Sequence, residues 1–179
     1  MNKYGESYLS TVGLDYLVKE EQIGDKKVKV KLWDSAGQEA YHSLIKNYYR
    51  KSDGIIIVFD ICNRDSFDKI NYWVKTINDN IDSRKYIKLI IVGNKIDLAE
   101  ERQITKEEAE KMASAYSLKY FEASAKDNIG VKDFILNIVT DIIKEREKEK
   151  DKKDMEGNDG YIDLEKQKDE GQKYGFCCL

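Results

Sequence analysis

The sequence predicts an α/β fold built on a parallel sheet, and three observations support this class. Two continuous apolar runs, GIIIVFDI at 54–61 and YIKLIIVGN at 86–94, are typical of strands buried on both faces. A helical pattern lies between these runs, and two further helical patterns follow the second one. Strands that alternate with helices favour a parallel sheet covered by helices.

Two strand candidates come before the first apolar run, within residues 13–34. They flank a Gly24-Asp25 pair, which is typical of a tight turn. The second candidate, KVKVKLW, alternates lysine with apolar residues at a period of two. This alternation predicts a strand with one buried and one exposed face.

The helical patterns follow in order along the chain. DSFDKINYWVKTINDN places its apolar residues on one helical face, and Thr105 with Glu108 forms a capping-box pair that marks the start of another helix. LKYFEAS at 118–124 predicts a short strand. A last helix is expected from about residue 131, with this apolar stripe: Val131, Phe134, Ile135, Ile138, Val139, Ile142 and Ile143.

The composition and the charge argue against several classes of function. The net charge is −3, so overall electrostatics does not indicate a nucleic-acid partner. No run of 18 apolar residues predicts a membrane-spanning helix, and the segment MNKYGESYLS does not have the apolar core of a signal peptide. Cys62 is expected in the core, and three cysteines do not make a disulfide framework. The single histidine, His42, reads as a surface residue.

The first candidate site is the loop WDSAGQE after the second strand candidate. Asp34 at the strand end could hold Mg²⁺, directly or through water. Gly37 allows the backbone to approach a phosphate closely, and the Gln38 amide could orient an attacking water. Thr11 could add its hydroxyl to the metal shell. Taken alone, each of these residues also fits an ordinary polar loop.

Two further polar stretches follow the buried strands. Asp97, in Asn94-Lys95-Ile96-Asp97, could accept hydrogen bonds from the N1–H and the exocyclic amine of guanine, two donors that adenine does not offer. Another stretch, Ala123-Ser124-Ala125-Lys126, could present the Ala125 N–H to a base carbonyl while Lys126 packs along the ring. Because ligands bind at the carboxyl ends of parallel strands, these stretches are expected to form one site.

Taken in order, T-V-G, WDSAGQE, NKID and SAK resemble the Ras-like small GTPases, and specifically the Rab family. Four longer stretches share this resemblance: VGLDY, KLWDSAGQE, NYYRKSDG and VFDICNRDSF. The resemblance covers about residues 5–145 and the last few residues. It implies a Ras-like P-loop NTPase sheet, GTP and GDP as ligands, Mg²⁺ as cofactor and Gln38 as the catalytic residue. The nucleotide would be held by these residues: Asp34, Gly37, Asn94, Lys95, Asp97, Ser124, Ala125 and Lys126.

The sequence departs from the Rab pattern in two ways. Ser35 replaces a usual threonine, and Ala40, Tyr41 and His42 replace a usual Arg-Phe-Arg run that faces regulators and effectors in the family. Further, G-x-x-x-x-G-K-[ST] occurs nowhere in the sequence. The expectation is therefore a domain without its first strand, P-loop and first helix. The absent strand would lie between the strands at 27–33 and 54–60, so two apolar edges would be unpaired.

The end of the chain is expected to be a flexible tail. Residues 1–148 are assigned to the incomplete GTPase domain and residues 149–179 to a hypervariable tail, with disorder from about residue 150. The adjacent pair Cys177 and Cys178 resembles the Rab double-cysteine ending, so both would carry geranylgeranyl groups. Two lipids give stable membrane anchoring where one does not.

The resemblance implies a GTP-hydrolysing switch in vesicle-mediated protein transport. Such a lipoprotein would act on the cytosolic face of an endomembrane compartment and cycle with the cytosol. Its implied partners are effectors, an exchange factor, a GTPase-activating protein and a GDP-dissociation inhibitor or escort protein. Two alternatives stay open at this point: a nucleotide-independent pseudo-GTPase or binding module, and a non-functional fragment.

Overall fold

The computed structural model describes residues 14–35, 49, 51–81, 86–156 and 173–178, which form one mixed sheet with helices on both faces. Helices and strands alternate after the first hairpin, as the sequence predicts. The elements are β1 (Leu14–Ile23), β2 (Lys26–Ser35), β3 (Gly54–Asp60), α1 (Arg64–Asp68), α2 (Ile70–Asn80), β4 (Lys88–Asn94), a 3-10 helix (Ile96–Glu101), α3 (Lys106–Ala115), β5 (Lys119–Glu122), α4 (Val131–Glu156) and β6 (Lys173–Cys178).

The six strands lie in the order β1-β2-β6-β3-β4-β5. The hairpin of β1 and β2 is antiparallel and turns at Gly24, whose φ of 58° favours glycine. Every other neighbouring pair is parallel. The predicted α/β class with a Ras-like parallel sheet is therefore confirmed.

The core has two layers, one on each face of the sheet. Strands alternate their side chains between the layers, so Ile55 and Ile57 of β3 face one layer and Ile56 faces the other. Helices α1, α2 and α3 cover the first layer. The apolar stripe of α4 covers the second, where Ile138 and Val139 are fully buried against β2, β3 and β4. This stripe is the one predicted from the sequence.

Local interactions account for where the helices begin. Thr105 accepts a hydrogen bond from the Glu108 N–H at 3.1 Å, which confirms the predicted cap of α3. Asn63 caps α1 in the same way through the Ser66 N–H. The predicted helix over 65–80 is divided at Lys69 into α1 and α2. The sequence predicts Cys62 in the core. In the structure it is half-buried and packs against the first core layer.

Helix α4 extends a few residues beyond about residue 150, from which the sequence predicts disorder. Its apolar stripe ends at Ile143, but the helix continues to Glu156. Ion pairs support this extension: Arg146 bonds Asp53 before β3, and Glu147 bonds Lys26 at the start of β2. These two pairs bring the distal part of α4 to the amino ends of β2 and β3. No helix in the described part of the chain is long and apolar enough to span a bilayer.

Strand β6 differs most from the sequence-based expectation. The sequence predicts that residues 173–178 belong to a flexible tail and that β2 and β3 have unpaired edges. In the structure β6 lies between these two strands and pairs with both. Pairing between residues that are more than 120 positions apart leaves no local signal in the sequence. The division of the chain at residue 148 stays a prediction.

Candidate nucleotide-binding site

The candidate site lies where β3, β4 and β5 end in polar residues at the same edge of the sheet. Asp60 closes β3, Asn94 closes β4, and Ala123 and Ser124 follow β5. The loop after β4 is bound to its neighbours through the backbone. The Asn94 carbonyl accepts from the Ile61 N–H at 3.1 Å, and the Ala123 carbonyl accepts from the Ile96 N–H at 3.3 Å. The site is therefore fixed by three adjacent strands.

Asn94 joins the two predicted base-binding loops. Its side-chain Oδ1 accepts a hydrogen bond from the Ala125 N–H at 3.0 Å. This is the same N–H that the sequence analysis assigns to a base carbonyl. A base carbonyl that takes this donor would therefore replace the bond to Asn94 or share it.

Lys95 has an unusual backbone conformation, with a φ of 70° that a residue other than glycine seldom adopts. Its ammonium group lies 2.7 Å from Asp60 Oδ2, and the other Asp60 oxygen accepts from the Cys62 N–H at 2.8 Å. Asp60 thus links the end of β3 to the loop after β4. Asp60 is not among the site residues predicted from the sequence, although its place at the end of an apolar run is a usable signal.

Asp97 and Ser124 form the centre of the site. The Ser124 hydroxyl, which is fully buried, donates to Asp97 Oδ1 at 2.6 Å and accepts from the Asp127 N–H at 3.0 Å. The hydrogen bond from Ser124 lowers the pKa of Asp97, and Lys126, 4.0 Å from Oδ2, adds to this effect. Asp97 is therefore held as a carboxylate, which only accepts hydrogen bonds.

A second polar cluster lies at β5, just before the site residue Ser124. Arg102 makes a bidentate pair with Glu122 at 2.8 and 3.2 Å, and the Tyr120 hydroxyl donates to Glu122 at 2.9 Å. Burial raises the pKa of Tyr120, and the bond to Glu122 acts in the same direction. The cluster fixes β5 just before Ser124. Sequence reasoning missed it because Arg102 lies 20 residues before Glu122 in the sequence.

The comparisons with known proteins decide the family. The sequence model of the Ras family matches residues 1–144. The Ras-related protein Rab-8B of Bos taurus is 31% identical over 176 residues, which cover 98% of this chain and 84% of the relative. The Ras-related protein Rab-8A of Rattus norvegicus is 36% identical over 155 residues, 87% of this chain and 72% of that relative. The chain belongs to the Rab family of small GTPases. The resemblance predicted from the sequence motifs is thus confirmed.

The Rab-family motifs are only partly within the described residues. The structure brings together Asn94, Lys95, Asp97 and the Ser124–Lys126 turn at one edge. Thr11, Gly37 and Gln38 lie outside the described residues. Asp34 lies exposed near the end of β2, in register with Cys178 of β6. Within the described ranges, no group of three or more His, Cys, Asp or Glu side chains could hold a metal ion.

The Rab-family site suits a guanine base by its donors and acceptors. The Asp97 carboxylate has the capacity to accept two N–H groups beside its bond from Ser124, since an ionised carboxylate offers about four lone-pair sites. The two lysines next to the site, Lys95 and Lys126, have exposed side chains that can cover an aromatic ring.

Proposed function

We propose that this Rab-family GTPase binds GTP and GDP at the edge formed by β3, β4 and β5 and hydrolyses GTP. The observation that carries the proposal is the Asp97–Ser124 pair. A buried hydroxyl holds the carboxylate in one orientation and keeps it ionised. Such a group selects a ligand with two adjacent N–H donors, which guanine has and adenine does not have. A mismatched base would leave the carboxylate without its partners, and this is costly.

The phosphate end of the site is proposed from the Rab-family motifs. Asp34 and Thr11 would hold Mg²⁺, which neutralises charge on the phosphates. The Gly37 N–H would bind the γ-phosphate, and Gln38 would orient the water that attacks it. A partner's arginine would supply much of the rate. Release of the phosphate would free the loops around Thr11 and Gly37, which is how such switches signal.

An exposed surface on the hairpin supports a role in binding protein partners. Tyr16 and Trp33 are neighbours across β1 and β2 with ring centroids 5.0 Å apart, and Lys31 lies over both rings at 3.8 and 4.0 Å. Val18 is half exposed on the same face as Tyr16. We name Tyr16, Val18, Lys31 and Trp33 the hairpin patch. Exposed aromatic residues beside a cation are typical of protein interfaces.

The cellular role follows from the family. An effector would bind the hairpin patch, while an exchange factor, a GTPase-activating protein and a GDP-dissociation inhibitor or escort protein would set the nucleotide and membrane state. Prenyl groups on Cys177 and Cys178 would anchor the chain to the cytosolic face of an endomembrane, from which it would cycle with the cytosol. This would make the protein a switch in vesicle-mediated transport.

A second candidate function is a binding module that works without nucleotide. The hairpin patch favours it, because its aromatic rings and lysine are held together by contacts within β1 and β2 themselves. Both functions can use the same patch, but only the first requires Asp97.

Asp97→Asn tests the GTPase proposal through a change of base specificity. An asparagine amide has one acceptor and two donors, so it suits xanthine, which has a carbonyl where guanine has its amine. We expect GDP affinity to fall about 100-fold, because two bonds to a charged acceptor are lost or weakened. XDP affinity should rise by a similar factor. Titration calorimetry with the full chain and each nucleotide measures both changes.

Asp127→Asn is the matched control, since it removes one carboxylate from the same turn. It should leave the preference for GDP over XDP unchanged. If the unaltered chain binds neither GDP nor GTP, the nucleotide proposal is wrong and the binding module is retained. If Asp97→Asn loses GDP affinity without gaining XDP affinity, the assignment of Asp97 to the base is wrong.

A further inference from the structure

Asp60 lies at the end of β3, next to the proposed base site, and several bonds fix its position. Its backbone is in register with Asn94 at the end of β4. Its N–H donates to the Ser66 hydroxyl at 3.1 Å, and its Oδ1 accepts from the Cys62 N–H at 2.8 Å. The other carboxylate oxygen, Oδ2, lies 2.7 Å from the ammonium group of Lys95. One oxygen of Asp60 is thus bonded to the loop after β3 and the other to the loop after β4.

Lys95 is fixed at both ends of its side chain. Its backbone has the left-handed conformation, with φ 70° and ψ 36°, and its carbonyl accepts from the Leu98 N–H at 2.9 Å. The next N–H, that of Ile96, donates to the Ala123 carbonyl at 3.3 Å. These bonds set the direction in which the side chain leaves the main chain, and Asp60 sets where its ammonium group ends. The methylene groups between these two points are therefore held at the edge of the site.

Lys95 also lies near Asp97, the proposed acceptor for guanine. The hydrogen bond from Ser124 is the main cause of the lowered pKa of Asp97, and the charges of Lys126 and Lys95 add to it. A lysine that moved onto Asp97 would occupy lone pairs that the N–H groups of guanine need, because an ammonium group can only donate. The ion pair with Asp60 holds the ammonium group of Lys95 at the end of β3 instead.

We propose that Asp60 is a positioning residue of the nucleotide site. It holds the Lys95 side chain where its methylene groups can cover one face of the guanine ring, and it keeps the ammonium group away from the Asp97 carboxylate. Asp60 acts through Lys95 rather than on the nucleotide. This assignment rests on the proposed binding of guanine nucleotides, and it adds to that site a residue outside the NKID and SAK stretches.

A positioning role and a purely structural role of Asp60 predict different results. The side chain of Lys95 is 51% exposed and that of Asp60 is 22% exposed, and ion pairs near the surface add little to the stability of a fold. Asp60→Asn keeps an oxygen that can accept from the Cys62 N–H and removes the charge. The free energy of unfolding of the nucleotide-free chain should therefore stay nearly unchanged, whereas the affinity for GDP should fall.

Titration calorimetry of the full chain with GDP and Mg²⁺ tests the proposal. We expect Asp60→Asn to weaken GDP binding about 10-fold, because the loss of the charged partner allows Lys95 to turn towards Asp97. Asp60→Glu keeps the carboxylate and should recover most of the affinity. Lys95→Met keeps an unbranched apolar side chain beside the ring, and in this background Asp60→Asn should have little further effect.

Asp68→Asn is the matched control, because it removes an exposed carboxylate from α1 and should leave the affinity for GDP unchanged. Equal affinities of the Asp60→Asn variant and the unaltered chain would overturn the role of Asp60 and leave the proposed function standing. Losses from Asp60→Asn and Lys95→Met that simply add would also overturn it, as would a large loss in the free energy of unfolding for Asp60→Asn. If the unaltered chain binds neither GDP nor GTP, the proposed function is wrong and the role of Asp60 fails with it.

Discussion

The two sides of the sheet are built in different ways. On the side of the nucleotide site, β3 pairs with β4 over seven positions and β4 with β5 over four, and helices connect these strands in sequence order. On the other side, β1 and β2 pair over ten positions with each other. Among the described strands, β6 joins that hairpin to β3, and it pairs with β3 over three positions.

This difference means that the two sides of one sheet can differ in their free energy of local opening. Connections through local crossovers cost little chain entropy, whereas β6 closes a loop of more than 100 residues. Few ladder positions join it to β3. We therefore expect the site side to resist opening and the hairpin side to open first, and the following variants test that comparison.

The largest effect is expected at Gly130, on the site side. Its φ is 71°, and a Cβ there would meet the Glu122 carbonyl oxygen at 2.4 Å, which is backbone and cannot move aside easily. Gly130→Ala combines this clash with an unfavourable conformation, so we expect a loss of about 3 kcal/mol in the free energy of unfolding. Urea denaturation measures it.

Gly24→Ala provides the matched comparison on the hairpin side. Gly24 has a similar φ of 58°, but a Cβ there would meet nothing within 4 Å. Only the conformational cost remains, about 1 kcal/mol. Equal losses for Gly24→Ala and Gly130→Ala would mean that the close contact at Gly130 adds nothing.

A loss between those of Gly130→Ala and Gly24→Ala is expected at Gly93, the residue before Asn94. A Cβ there would lie 2.5 Å from the Tyr120 hydroxyl and 3.0 Å from a methyl group of Ile61. Gly93→Ala should cost about 2 kcal/mol, because the site side is closely packed. Tyr120→Phe removes the nearest atom, so the same substitution should cost less in that background. A double-mutant cycle measures the coupling, and additive losses would contradict the proposed contact.

The smallest effect is expected at Glu122, where a substitution should change how the free energy of unfolding depends on pH. Burial opposes its ionisation, but hydrogen bonds from Arg102 and Tyr120 outweigh burial and lower the pKa of Glu122 below its ordinary 4.5. A carboxyl of this kind stabilises the fold above its unfolded pKa, and the effect is lost as the pH falls through the folded value. Glu122→Gln should therefore cost about 1 kcal/mol near pH 7.

The cost of Glu122→Gln should decrease when the pH falls below about 4.5. Urea denaturation of both chains at pH 7, 5 and 4 measures this change. A difference that stays constant across the series would show that the charge of Glu122 is not what stabilises β5.

The site side could be predicted well from the sequence because its signals are local. The apolar runs of β3 and β4, the Thr105 cap of α3 and the stripe of α4 all lie within short windows. The contacts within the site were less predictable. The strand ends indicated that Asn94 and Ser124 would be near each other, but the bonds of Asn94 to Ala125 and of Lys95 to Asp60 depend on loop conformation.

The hairpin side was predicted only in part. The alternation in KVKVKLW indicated β2, and Gly24 indicated the turn. Strand β6 was missed because KYGFCC has no periodic pattern of its own, and its partners lie more than 100 residues away. Helix α4 continues to Glu156, past the disorder predicted from about residue 150, and its Arg146 and Glu147 bond residues far away in the sequence.

The place of β6 in the sheet also sets an order of events on the ribosome. Translation proceeds from the amino terminus, so β2 and β3 are synthesised more than 100 residues before the strand that joins them. During that time β6 is not available to pair with either strand. The sheet described here cannot be completed until residues 173–178 have been synthesised. Of the described strands, β6 is therefore the last to take its place in the sheet.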